Sequence, residues 1–131
     1  MEKLNRITIG DKQYPIKVDM NVLEVIQNEY GTINGFERDI LGLRFIKDEE
    51  GRQLYDENKK PRVMLVEPSM KAIKFVLPVM INEGLAIEAD ETGTSFEPVR
   101  EKEIFRECTM DFENLASFIH NEYKKCFVTK K

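Results

Sequence analysis

The sequence predicts an α+β fold: an N-terminal β-hairpin followed by a small helical domain, with a second β-hairpin or loop set between its helices. The first eighteen residues alternate apolar and polar on both sides of Gly10-Asp11, which is the pattern of two half-buried strands joined by a tight turn. Later segments, around 21–30, 70–81 and 111–125, instead repeat their apolar residues at helical spacing. Between these lie two short apolar runs, 43–46 and 62–66, separated by a polar, turn-rich stretch.

In the first hairpin, Ile7 and Ile9 alternate with Arg6 and Thr8, and Tyr14, Ile16 and Val18 alternate with Pro15 and Lys17. Pro15 has no N–H for a ladder, so its strand is expected at an edge or with that position facing outward. A first helix is expected from Asn21 to Tyr30, capped by Asn21, closed by Gly31, with Val22, Leu23, Ile26 and Tyr30 on one face. A shorter helix follows, capped by Asn34, carrying Phe36, Ile40 and Leu41, and stopped by Gly42. Residues 43–67 read as a β-hairpin or a partly mobile loop. The third helix opens at Pro68-Ser69 and ends near Gly84, with a kink or break at Pro78. Residues 83–97 read as a flexible acidic loop, and a short helix is expected over Glu101–Glu107. The last helix starts at Asp111, stapled by Met110 and Leu115, with Phe112, Leu115, Ala116, Ile119 and Tyr123 inward. No internal repeat is apparent. The 131 residues suit a single domain.

Twenty Lys and Arg against twenty-four Asp and Glu give a net charge of -4. A nucleic-acid binder concentrates positive charge, so that role is disfavoured. Cys108 and Cys126 form neither a zinc pattern nor a secreted disulfide framework. No signal peptide is expected at the N-terminus, and no apolar run is long enough to span a bilayer. A cytoplasmic protein without membrane contact is expected.

Chemistry is sparse. The glycines form no phosphate loop. The lone His120 reads as a solvent-exposed surface residue, and Cys126, six positions on, does not share its helix face. The acids between Glu83 and Glu97 lack the ligand spacing of a calcium loop. No catalytic residue, metal site or cofactor is expected, and the chain reads as a non-enzyme. One feature exceeds what a core requires: from Ile73 to Ile81 apolar side chains point in nearly every direction. Either this is a helix packed on several sides, or one face meets a partner or a second copy. The candidate partner-binding residues are Phe75, Val76, Val79 and Met80.

The ordered set also resembles a known family. The opening Asn5 to Lys17, the helix Asn21-Val22-Leu23-Glu24-Val25-Ile26-Gln27-Asn28-Glu29-Tyr30-Gly31, the stretch Ala72 to Gly84 and the closing helix through Phe127 are similar to phage tail assembly chaperones and their gene-transfer-agent relatives. Leu43 to Pro61 departs from the family plan and reads as an insertion within 43–67. The resemblance implies a non-enzymatic protein of the bacterial host cytoplasm that coats the tape measure protein until tail tube subunits polymerise around it, with homo-oligomerisation open. The rivals are a structural virion component, such as a tail terminator or head–tail connector, and a small regulatory binding protein.

Overall fold

Alternation at the N-terminus produces the first sheet of the computed structural model, which describes residues 3–127. Strands β1 (Asn5–Ile9) and β2 (Lys12–Ile16) pair antiparallel, Ile7 facing Tyr14 and Asn5 facing Ile16. Ile7, Ile9 and Ile16 are buried, and each such side chain withdrawn from water stabilises the fold by roughly 1.5–3 kcal/mol. Pro15 opposes Arg6 at the edge of this two-stranded sheet and is itself buried rather than turned to solvent.

Helices α1 (Met20–Tyr30) and α2 (Ile33–Leu41) follow. Their caps are Asp19, whose side chain accepts the Val22 N–H, and Thr32, whose hydroxyl accepts the Gly35 N–H. Both lie two residues before the asparagines that the sequence suggested. Asn21 is free to donate to Glu83 at 3.0 Å instead. Gly42 ends α2 with φ 73°, and a Cβ there would lie 2.2 Å from the Val66 carbonyl. Handedness and close approach together exclude any larger residue at this corner.

Strands β3 (Leu43–Phe45) and β4 (Val63–Leu65) pair antiparallel in a second, separate sheet. Then comes α3 (Met70–Thr92), much longer than expected. It runs unbroken through Pro78 and Gly84, takes up most of the stretch expected as an acidic loop, and stops at Gly93. Gly84 is inside the helix because β2 lies directly on it: an added Cβ would sit 2.6 Å from the Pro15 carbonyl oxygen. The Lys17 N–H donates to the Met80 carbonyl at 3.2 Å and fixes the same contact.

Helix α4 (Glu101–Glu107) packs on α3, and the intervening chain is pinned where Asn82 accepts the Val99 N–H at 2.7 Å. Helix α5 (Phe112–Lys125) is capped by Asp111 and buries Leu115, Ala116, Ile119 and Tyr123. The core therefore centres on α3, which meets β2, α1, α2, α4 and α5. Ile73, Leu77, Met80 and Ile81 are fully buried in it.

Candidate interaction surface

Residues 43–67 form an ordered arm whose backbone follows an eight-residue repeat that sequence inspection missed. Lys47-Asp48-Glu49-Glu50-Gly51-Arg52-Gln53-Leu54 is followed by Tyr55-Asp56-Glu57-Asn58-Lys59-Lys60-Pro61-Arg62. The second residue of each unit is an aspartate that folds its own turn, because a short carboxylate can accept N–H groups two and four residues on. Asp48 Oδ1 accepts from Glu50 and Arg52, both at 2.9 Å. Asp56 Oδ1 accepts from Asn58 at 2.8 Å and from Lys60 at 3.0 Å. The equivalent fifth positions, Gly51 and Lys59, both have positive φ, 84° and 63°. These bonds, the Arg52 N–H first, hold the Asp48 carboxyl below the usual range.

The two lobes and the β3–β4 stem meet at a closed ring of backbone hydrogen bonds. Ile46 donates to Arg62 at 2.9 Å, Leu54 to Ile46 at 3.0 Å, and Arg62 to Leu54 at 2.9 Å. At its centre the Gln53 side-chain nitrogen lies within hydrogen-bonding distance of the same three carbonyls, at 3.0, 2.7 and 3.2 Å. Local hydrogen bonding orders the arm without a hydrophobic core of its own.

Its surface is apolar where the domain leaves it bare. Every residue from 55 to 67 is exposed, including Leu65 at 77%, Tyr55 at 60% and Met64 at 50%. Register places Phe45, Val63 and Leu65 on one face of the stem and Met64 with Arg44 on the other. The stem is held at its root: Arg44 pairs with Asp39 of α2 at 3.1 Å, and the Arg38 guanidinium lies 4.8 Å over the Phe45 ring. Beside the root, Ile40, Leu41, Leu65, Val66, Ala116 and His120 line a groove of about 420 Å³.

The residues that sequence reasoning favoured lie elsewhere. Val76 and Met80 are 1% and 0% exposed and belong to the core, since α3 is covered on several sides. Phe75 is half-buried with its ring 5.8 Å from Tyr30. Val79 lines a shallow groove with Val25 and Phe96. The four therefore form no common exposed face. The signal that would have found the arm is Val63-Met64-Leu65-Val66, an apolar run with no polar alternation, bounded by Arg62 and Glu67.

His120 is also not a free surface residue. Its side chain is 15% exposed, Nε2 lies 2.9 Å from a Glu37 carboxylate oxygen, and the ring stacks on Tyr123. Burial first, then the Glu37 charge, pushes the Tyr123 phenol up to about 12. Burial likewise pushes the Cys126 thiol up, which disfavours its thiolate. A hydrogen bond shared with the Asp19 carboxylate, then burial, raises the Glu83 carboxyl. Among the described residues, no three or more His, Cys, Asp or Glu side chains are grouped to hold a metal ion, and no helix is long and apolar enough to cross a membrane.

This arrangement can bind through apolar contact and open strand edges. Comparison of the chain with family models, with curated proteins and with solved structures finds no match.

Proposed function

We propose that this protein is a non-enzymatic binding protein that shields apolar surface on a partner, and that it acts as a tail assembly chaperone for the tape measure protein in the bacterial host cytoplasm. The observation that supports this reading is the free-standing arm, with Leu65, Tyr55 and Met64 all exposed. Isolated exposed apolar side chains are ordinary; a run of them on a structure with no cover is the signature of a docking surface. A long helical partner presents apolar stripes of matching chemistry, and the tail tube protein is the second partner that the resemblance implies. The resemblance in Asn5–Lys17, Asn21–Gly31, Ala72–Gly84 and the closing helix through Phe127 supports the choice of partner, and the exposed arm supports the choice of docking surface.

Co-expression with the tape measure protein tests both. The expected result is co-purification with rescued solubility, and a loss of about tenfold or more in recovery for Met64→Asp/Leu65→Asp with the helical circular dichroism unchanged. Failure to co-purify, together with the protein's presence in mature particles by mass spectrometry, would replace the chaperone with a structural virion component.

A further inference from the structure

Segment 43–67 carries six basic and six acidic residues, so the net charge of -4 lies wholly on the remainder of the chain. The arm is therefore neutral overall, and its net charge does not oppose contact with a second copy. Within the arm the charge is divided. The first repeat unit, 47–54, has net -1 and presents Glu49, beside Glu50 paired with Arg52 at 2.7 Å; the second, 55–62, has net +1 and presents Lys59 and Lys60. The lobes share one backbone geometry and differ in sign, and they flank a stem with an exposed apolar face of Phe45, Val63 and Leu65.

We infer that the arm is the surface through which two copies of this chain pair. A twofold axis along the stem lays the apolar faces together and sets the acidic lobe of each copy against the basic lobe of the other, twice. The alternative twofold, across the stem, would oppose like lobes, so the lobe charges favour the first although it sets the two bodies at the same end. A partner that takes the same face competes with the second copy. The pairing itself needs no partner, so its test is independent of the chaperone reading.

The experiment is sedimentation velocity on the full chain alone, over a concentration series at low salt. The wild type is expected to pass from monomer to dimer. Glu49→Lys/Glu50→Lys leaves both lobes basic, and Lys59→Glu/Lys60→Glu leaves both acidic. Each alone should weaken self-association by about tenfold or more. Mixing the two reversed proteins, or combining all four changes in one chain, should restore it. Leu65→Asp should abolish pairing in every background. Unchanged amide hydrogen exchange at Ile46, Leu54 and Arg62 in each variant shows that the arm keeps its fold. A wild type that stays monomeric throughout, or a dimer indifferent to either reversal, or reversed proteins that fail to pair when mixed, would overturn the inference.

Discussion

The two hairpins of this chain have comparable strands and opposite fates. In β1–β2, Ile7, Ile9 and Ile16 are buried; in β3–β4, Phe45, Val63 and Leu65 stand in solvent. Both carry apolar residues on one face in register. The difference lies in what each hairpin can approach. Gly84 removes the side chain that would hold β2 off α3, so backbone meets helix and the face closes. The second stem meets α2 through the Arg44–Asp39 pair and the Arg38 guanidinium over Phe45, and its turns, not a core, give it shape. Alternation therefore reports a strand, while burial requires a second surface to receive it.

The sharpest way to break this comparison is at Gly84. Gly84→Ala adds a methyl 2.6 Å from the Pro15 carbonyl oxygen, against backbone that cannot rotate away. Overpacking of this kind costs about 1–3 kcal/mol, whereas helix propensity alone would give a gain of about 1 kcal/mol. Urea denaturation should show a net loss of about 1 kcal/mol, with β1–β2 amides losing protection first. A more stable variant would mean that the close approach does not hold the hairpin down.

A second test separates the body from the arm by alkali. The unfolded Tyr123 phenol ionises near its ordinary value, and the folded one only at about 12. Between those limits the unfolded chain has released the proton that the folded chain keeps, so stability falls as pH rises across that window and is unaffected below it. Tyr123→Phe should flatten the decline. Equal slopes for both proteins would assign the loss to another group.

The smallest global effect is expected at Gln53. Gln53→Ala removes the amide at the centre of the ring. Hydrogen exchange at Ile46, Leu54 and Arg62 should quicken by about tenfold, while the denaturation midpoint of the body moves by less than the equivalent of about 0.5 kcal/mol. A large drop in global stability would show that arm and body unfold as one.

Much of the architecture was legible because it rests on local chemistry. Gly10-Asp11 announces a turn, Gly31 and Gly42 end helices, and the faces of α1 and α5 follow from helical spacing. The errors came where two readings of one residue compete. Asn21 and Asn34 can cap, but Asp19 and Thr32, two residues earlier, do so. Gly84 can end a helix, but here it admits a strand, and Leu85-Ala86-Ile87-Glu88-Ala89 are sound helix formers that charge counting obscured. The burial of Val76 and Met80 was missed for a related reason. Surplus apolarity on α3 reflects neighbours on several sides, which a single helix pattern does not reveal. His120 was misjudged because its partner, Glu37, is remote in sequence.

The ring at Ile46, Leu54 and Arg62 also bears on how such an arm varies in length. Each lobe leaves the ring and returns to it at the neighbouring hydrogen bond, so a lobe is a closed detour in the path of the chain. A detour of one whole unit can be copied or dropped without rotating the stem, whereas losing fewer residues would shift every position beyond it. The arm is thus a part that can change by whole modules, its lobes exchanged for others of different charge while the domain beneath keeps its form.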